Sequence, residues 1–389
     1  MHRRKLLEKN TALRFFLILG LIPASVGLAP AQRESAETQK DQAMELIGQG
    51  RYIDALPILE KIILSYPDDA ELWAQFGLAI IVNASTVADT ELRKEQHTRG
   101  VKALERAKQL GTENVRALDL LDQFKNNEGA DNFIDENPEV EKALREGEAF
   151  FGRGDFDSAF ESYEKAYKLN PKSYEATLFM GDSRYSQKRY AEAEIWFAKA
   201  TVLDPNREMA FRFWGDALMH QRKFSEARDK FIEAMIASPY SRMTWETLRN
   251  WGENVGREFS PYDITPPGNA LGGELKIDEK LLRADDGTDL WKIYKEAVGH
   301  KSSVSFAEET AVWRKLAGAM RLGLKEGRIK YPDSGLVNLV RIDDEGFIEP
   351  YILLMRPREN FGEAYEGYRE KNREKLRLFI IKRFLNMEK

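Results

Sequence analysis

Residues 174–207 read YEATLFMGDSRYSQKRYAEAEIWFAKATVLDPNR, and the segments on either side repeat the same pattern. In each segment small residues, aromatic residues and one proline recur at an offset of 34 residues. The matching sets are Gly147, Gly181 and Gly215; Phe156, Tyr190 and Phe224; Ala159, Ala193 and Ala227; Tyr163, Phe197 and Phe231; Ala166, Ala200 and Ala234; and Pro171, Pro205 and Pro239. A fixed period of this length indicates a solenoid that stacks one supersecondary unit.

Each repeat is predicted to be a pair of helices joined by a short turn. In the quoted segment the first helix is expected over 174–187 and the second over 191–203. The glycine and alanine residues that recur in each repeat let the two helices approach closely. The recurring aromatic residues fill the groove between one helix pair and the next. The proline closes the second helix, because it lacks a backbone N–H donor and clashes with the turn before it.

This pattern resembles the tetratricopeptide repeat over residues 140–241, at Gly181, Tyr190, Ala193, Phe197, Ala200 and Pro205 of the quoted segment. The resemblance implies an all-α fold, a tetratricopeptide-type superhelical solenoid of helix pairs. It also implies a protein- or peptide-binding scaffold rather than a particular activity, because one repeat fold serves many unrelated partners.

The first 31 residues have the layout of a bacterial secretory signal peptide. A basic start is followed by an apolar run over 15–22, and Ala29 and Ala31 stand at the −3 and −1 positions of a cleavage before Gln32. The alternative is an uncleaved membrane anchor, but the apolar run is short for a span of about 20 residues. We therefore expect export, with the periplasm as the destination.

The composition limits the classes of partner and chemistry. Residues 1–31 carry five basic residues and one acidic residue, so their removal changes the formal net charge from −5 to −9. An acidic chain disfavours nucleic acid as a partner, because such binding depends on Lys and Arg contacts with phosphate. The chain has no cysteine, which excludes disulfides, a thiol nucleophile, Cys-ligated zinc and a lipid-modified N-terminal cysteine.

Two repeat-like units are predicted within 32–127, ahead of the main array. The polar segment 32–41 is interpreted as a flexible linker, and 42–67 as a repeat with Gly50, Tyr52 and Ala55 at the expected places. The second unit is degenerate, with a first helix over 70–82 and a second over 100–110. The residues between, 83–98, are interpreted as a longer first helix or a loop, and 115–124 as one more helix.

The main array is expected over 138–256, as three repeats and a capping helix at 241–254. A Pro- and Gly-rich linker is predicted over 257–286 and a mainly helical C-terminal domain over 287–389, packed on the end of the solenoid. Within that domain 336–354 is interpreted as a β-hairpin or as two short helices. A long helix with an apolar stripe is predicted over 361–387.

The first helix of each repeat lines the concave face, where the resemblance places the ligand. The candidate groove residues are Glu148, Phe151, Asp182, Tyr185, Arg212, Asp216, Met219 and Asn250. One position per repeat is acidic, which suits a basic or amino-terminal peptide with apolar anchors. The alternative is an ordinary acidic helix surface. The family's carboxylate clamp for acidic tails requires Lys, Asn and Arg on these helices, so Glu148, Asp182 and Asp216 disfavour it.

The sequence predicts no catalytic, cofactor-binding or metal-binding residues. His300 with Asp285, Asp286 and Glu308 is the single cluster from which an enzyme hypothesis starts. The segment 285–296 matches a calcium loop poorly, and a helix cap by Asp286 or Thr288 is the preferred interpretation. His220 is interpreted as a solvated surface residue.

The last helix is basic, which is typical of a membrane-surface helix. Interleaved glutamates favour instead a solvated helix docked through its apolar side.

Together these patterns predict an exported, non-catalytic scaffold of the bacterial cell envelope that binds a protein or peptide, without cofactor. The alternatives are an enzyme or a membrane-surface protein with its activity in the C-terminal region and the repeats as recruiter.

Overall fold

The fold of the described residues is entirely helical. A computed structural model describes residues 30–125, 137–261, 264–267, 277–299, 301, 303–356 and 358–387. Within those ranges there are 17 α-helices and no strand, which confirms the predicted all-α class. The predicted signal segment lies almost wholly outside the described residues.

Five helix pairs and two further helices make up the N-terminal two thirds. They are α1 (Pro30–Gly48), α2 (Tyr52–Ile62), α3 (Ala70–Ser85), α4 (Thr90–Gln109), α5 (Val115–Lys125), α6 (Pro138–Phe151), α7 (Phe156–Leu169), α8 (Tyr174–Ser186), α9 (Tyr190–Leu203), α10 (Glu208–His220), α11 (Phe224–Ala237) and α12 (Arg242–Asn254). The C-terminal region follows as α13 (Trp291–Val298), α14 (Phe306–Lys325), α15 (Ser334–Asp344), α16 (Ile348–Met355) and α17 (Gly362–Arg383).

The turn inside each repeat of the main array uses one residue in the left-handed region. Gly154, Lys188 and Arg222 have φ angles of 77°, 63° and 62°, and they are spaced by the same 34 residues as the other columns. This conformation ends the first helix and reverses the chain. Only Gly154 adopts it without strain, since a side chain costs roughly 1–2 kcal/mol there.

The glycine column sets the distance between the two helices of a pair. A Cβ atom on Gly181 would lie 2.5 Å from the ring of Phe197, and the same clash occurs between Gly147 and Tyr163 and between Gly215 and Phe231. The three rings are fully buried. Each aromatic ring of α7, α9 or α11 therefore rests on the bare backbone of the preceding helix.

The C-terminal region shares one core with the last repeat. The cluster runs from Phe231 and Trp251 to Trp291 and Phe379 without a break. Helix α17 lies against α11, where Tyr365 Oη donates a hydrogen bond of 2.6 Å to the carbonyl of Ile236. The predicted packing of a helical C-terminal region on the solenoid end is confirmed.

Two predictions for the first repeats are wrong. The segment 32–41, interpreted as a flexible linker, belongs to α1, and Ala36 is buried against the following hairpin. The second helix of the degenerate repeat begins at Thr90 rather than near residue 100. Asp89 caps it by accepting a hydrogen bond of 2.8 Å from the backbone N–H of Leu92, so most of the extra sequence lengthens this helix.

The C-terminal segment 336–354 forms two helices, α15 and α16, and not a β-hairpin. Gly346 has a φ of 72° in the turn between them. Helix α17 covers most of the predicted long helix but is kinked at Asn372, whose φ is −133°. In the linker, Ile264 is buried and its N–H donates to Tyr351 Oη at 2.9 Å, so this part packs into the core. The boundary at 257–286 stays a prediction.

Gly181→Ala is expected to lower the free energy of unfolding by about 2–4 kcal/mol, because the ring of Phe197 has to leave its site. The matched control is Gly318→Ala, since Gly318 lies in α14 with open space around the position of its Cβ. That change should be neutral or stabilising by up to ~1 kcal/mol. Urea unfolding of both variants measures the difference, and equal effects would contradict the ring-on-backbone contact.

Candidate functional site

The acidic column, Glu148, Asp182 and Asp216, comes from equivalent positions of α6, α8 and α10. The two outer carboxyl groups influence the middle one. Burial raises the pKa of Asp182 to about 7, and the negative charges of Glu148 and Asp216 add to this rise. The repeat therefore places Asp182 between the carboxyl groups of Glu148 and Asp216.

The carboxylate of Glu148 has hydrogen-bond partners within the chain. Its carboxylate accepts hydrogen bonds from Tyr163 Oη at 2.7 Å and from Ser85 Oγ at 3.3 Å. Ser85 ends α3, so this contact also joins the first repeats to the main array. Burial raises the pKa of Glu148. Its acceptors are used for structure, which leaves little capacity for a ligand.

Asp182 and Asp216 differ from Glu148, since neither has a hydrogen bond or ion pair with any residue of the described ranges. Burial raises the pKa of Asp216 to about 6, with the charge of Glu208 adding to the rise and Arg212 opposing it. Both side chains are partly exposed, so they reach water on the inner face. A desolvated carboxylate without a partner is unfavourable, and a cation would relieve it.

Neighbouring arginines offset the charge of these two aspartates only in part: Arg116 and Arg212 lower the pKa of Asp182 and Arg212 lowers that of Asp216, yet both pKa values stay raised. Arg212 Nε pairs with Glu208 at 2.9 Å, within its own helix. Arg207 pairs with Glu175 at 2.6 Å and lies over the ring of Tyr174. Since these cations already have carboxylate partners, the negative charge of the inner face is left in excess.

An open cavity of about 380 Å³ lies where α10, α11 and α12 meet. We call it the end cavity; it is lined by Asp216, Met219, His220, Arg222, Phe224, Phe231, Thr247, Asn250, Trp251 and Asn254. The structure thus brings together three predicted groove residues, Asp216, Met219 and Asn250. The end cavity combines one carboxylate with aromatic and thioether side chains.

Other predicted groove residues have internal partners. Phe151 packs edge-on against Phe156, with ring centroids 5.1 Å apart, at the end of its hairpin. The ring of Tyr185 packs against Tyr190, and its hydroxyl lies 3.1 Å from His220 Nε2. Arg212 is the ion-pair partner of Glu208 described above. These residues shape the inner face, and their polar atoms are already engaged.

Several residues around the end cavity were missed by sequence reasoning. His220, interpreted as a solvated residue, is exposed but stacks on Tyr190 with ring centroids 4.5 Å apart. Phe224 and Trp251 were recognised only as packing positions. The period offered a signal for them, because Tyr190 and Phe224 occupy the same column.

Solved structures with similar folds are repeat proteins, although no curated protein matches the chain. A family model described as "Tetratricopeptide repeat" matches residues 144–208. The chain contains tetratricopeptide repeats. The first such domain of Spaghetti (RPAP3), bound to an HSP90 peptide, is 19% identical, with 32% of this chain and 98% of that chain covered and a TM-score of 0.30.

Two other tetratricopeptide structures give similar values. The TPR2AB domain of yeast Sti1, in complex with an HSP90 peptide, is 16% identical, with 57% of this chain and 87% of that one covered and a TM-score of 0.29. YrrB, described as a TPR protein with an unusual peptide-binding site, is 18% identical, with 56% and 93% covered and a TM-score of 0.26. These likenesses concern the fold of the repeats.

Helix α5 forms an unexpected link between the two ends of the tetratricopeptide array. Its apolar side packs on α3 and α4 through Leu121. Its polar side reaches the cap helix, where Ser241 Oγ donates to Asp119 at 2.9 Å and Arg242 pairs with Asp122 at 3.3 Å. The inner face therefore has a wall opposite the repeats, and an open groove was expected instead.

The residues of the enzyme hypothesis have structural partners. Glu308 forms a capping box with Ser305 and an ion pair with Lys301, and these contacts hold its pKa at about 2. Asp286 accepts hydrogen bonds from the backbone and hydroxyl of Thr288. The N-cap of the short 3₁₀-helix Thr288–Leu290 is Gly287 and that of α13 is Leu290, so the predicted helix cap by Asp286 or Thr288 is wrong. His300 lies outside the described residues. Among the described residues no group of His, Asp and Glu is arranged to hold a metal ion.

The basic residues of α17 contact the solenoid. Arg373 and Arg377 each pair with Glu233 of α11, at 2.7 and 2.8 Å. This arrangement matches the predicted docked helix. Across the ranges that the structure covers, no helix has the length and apolar character needed to cross a membrane.

Asp182→Asn is expected to stabilise the chain at neutral and alkaline pH. The pKa of Asp182 is raised to about 7 in the folded state from an ordinary 3.8, so its favourable contribution is complete below the ordinary value and is lost as the pH rises through 7. The variant should exceed the parent by roughly 1–3 kcal/mol near pH 8, with the difference vanishing towards acid pH.

Urea unfolding over a pH series measures this difference. The matched control is Glu161→Gln, because Glu161 is exposed on α7 and away from the inner face. A pH-independent difference between Asp182→Asn and the parent would show that the aspartate ionises normally.

Proposed function

We propose that this chain is a non-catalytic protein-interaction scaffold whose inner face holds a protein segment that carries positive charges. The observation that supports the proposal is the pair of unpartnered carboxyl groups, Asp182 and Asp216, on adjacent repeats. A tetratricopeptide array presents an extended concave surface, and such surfaces generally serve for protein binding.

The physical reason lies in the solvation of these two groups. Each is withdrawn from bulk water without gaining an internal partner, so its charged form is disfavoured. A Lys or Arg side chain, or an amino terminus, would supply the missing charge and donors. Binding would then lower both pKa values towards their ordinary range, and the partner's affinity would fall as the pH drops through the unliganded pKa values of about 7 for Asp182 and about 6 for Asp216.

The spacing of the two aspartates defines the preferred ligand further. Neighbouring packed helices lie roughly 8–10 Å apart, and a segment in the polyproline II conformation rises about 3.1 Å per residue with three residues per turn, so its side chains three positions apart lie on one side. Two basic residues about three positions apart therefore match Asp182 and Asp216. An acidic tail or a nucleic-acid backbone would be repelled by the same face.

Asp182→Asn combined with Asp216→Asn is expected to weaken binding of a blocked peptide with two lysines at this spacing by about tenfold or more, because two ion pairs are lost. Fluorescence anisotropy with the full chain measures the affinity. The variant keeps the shape of both side chains and should remain folded. Glu161→Gln serves as the control and should bind like the parent.

A second peptide, in which glutamine replaces both lysines, separates charge from backbone recognition. The parent should bind it about as weakly as the double variant binds the lysine peptide. Equal affinity of the parent for the two peptides, or for an acidic peptide of the same length, would refute a cation-binding face.

We also propose that the chain is exported to the periplasm, as part of the cell envelope. The layout of residues 1–31 supports this, and cleavage before Gln32 would keep the packed residues of α1, such as Ala43 and Ile47. Mass spectrometry of the chain isolated from the bacterial envelope is expected to find Gln32 as its first residue. Intact Met1 in a cytosolic fraction would refute the proposal.

A further inference from the structure

We infer that the end cavity is a pocket for one basic side chain of the partner, a lysine or arginine whose stem enters between α10 and α12. This inference rests on the proposed function and specifies one subsite of it. The observation that carries it is a cavity that combines an unpartnered carboxyl group, Asp216, with three aromatic rings and a thioether among its lining side chains.

The walls suit the two parts of such a side chain. The half-buried Phe224 offers ring surface, the almost fully buried Phe231 and Trp251 also line the cavity, and Met219 adds a polarisable thioether. Lys and Arg bury their methylene stems on apolar surface while the charged head seeks a polar partner. Aromatic faces attract cations, and Asp216 supplies the opposite charge in the same cavity.

The cavity is held open by contacts on its own walls. Trp251 Nε1 donates a hydrogen bond of 2.7 Å to the carbonyl of Phe224, which links α12 to the start of α11. Phe231 is fixed against the backbone of Gly215. Trp251 also belongs to the core that continues into the C-terminal region. A pocket of fixed shape saves the ordering cost that binding otherwise incurs.

The size of the cavity fits this use. Its volume of about 380 Å³ falls in the lower part of the range typical of ligand sites. At its rim Asn254 Nδ2 donates to the carbonyl of Asn250 at 2.8 Å, whereas the side chain of Asn250 is exposed. The amide of Asn250 is therefore placed to bond the backbone of the segment that delivers the basic residue.

The positive charge of Arg212 offsets the negative charge of Asp216 only in part, since the pKa of Asp216 stays raised to about 6. On its own helix Arg212 pairs with Glu208, and His220 and Arg222 at the rim are exposed. From the neighbouring repeat Asp182 adds negative charge. On α5, Arg116 lowers the pKa of Asp182 and Asp119 raises that of Arg212, whereas α12 presents neutral side chains, Thr247 and Asn250, to the cavity.

The test uses Met219→Lys, which places an ammonium group one helical turn from Asp216 and supplies the pocket with a basic side chain of its own. This variant should bind the two-lysine peptide at least about tenfold more weakly than the parent. Met219→Leu keeps the size of the side chain without adding charge, so it should weaken binding far less than Met219→Lys; equal losses in the two variants would contradict the charge-selective pocket. Circular dichroism establishes that both variants are folded.

A second measurement compares peptides that carry norleucine in place of one lysine at a time. In the parent, each replacement should weaken binding. In the Asp216→Asn variant, replacing the lysine that enters the end cavity should have no further effect. Replacing the other lysine should still weaken binding, because that lysine pairs with Asp182. ¹³C-methyl NMR should show that the Met219 signal shifts with the two-lysine peptide and that the signal of the buried Met320 does not.

The outcomes separate the pocket from the proposed function. If the two-lysine peptide binds and depends on Asp182, but Met219→Lys and Asp216→Asn have no effect, the pocket is wrong and the basic-segment scaffold stands. If the parent binds the two-lysine peptide no more tightly than the glutamine peptide, both the pocket and the basic-segment scaffold are wrong.

Discussion

The contact between an aromatic ring and a bare helix backbone determines the geometry of this solenoid. Phe197 on Gly181 is the clearest case, and the neighbouring repeats use the same arrangement. Because the ring fills the space that a side chain would take, the two helices approach closely at one fixed point. Each repeat therefore presents its first helix in the same orientation, and a residue type repeated every 34 positions becomes a row on the inner face.

This regularity gives the acidic column its chemistry. Desolvation acts on all three carboxyl groups, but only Glu148 receives hydrogen bonds in return. Asp182 and Asp216 keep the unfavourable free energy of desolvation. Such a local conflict is expected at functional sites rather than in a structure optimised for stability. The same two residues that would bind a cation therefore lower the stability of the unliganded chain at neutral pH.

The sequence predicted the parts of the fold that depend on the repeat period. The hairpins of the main array follow from local spacing and are present in the structure, and a tetratricopeptide model matches residues 144–208. Where the period is broken, prediction was weaker. Helix α4 extends to Thr90 because Asp89 caps it, and a polar segment became part of α1 because Ala36 and Ala43 find partners on the next helix. Propensity alone does not reveal such tertiary partners.

The candidate site shows the same division between local and long-range information. Asp216, Met219 and Asn250 were found because they occupy repeat positions, and they do line one cavity. The role of α5 was not accessible, since its contact with α12 joins Asp119 to Ser241 across more than a hundred residues. No period relates those two positions, and both are ordinary polar residues in the sequence.

The link through α5 changes what kind of partner the inner face suits. An open solenoid presents a concave groove wide enough for a folded element. Here helix α5 spans from the first repeats to the cap helix and narrows the access to the inner face. Arg116 and Asp119 of that helix influence the ionisation of Asp182 and Arg212, so α5 stands close to the acidic column. An extended segment with basic side chains satisfies both constraints, because it is thin enough to lie between the walls and carries the charge that the aspartates lack.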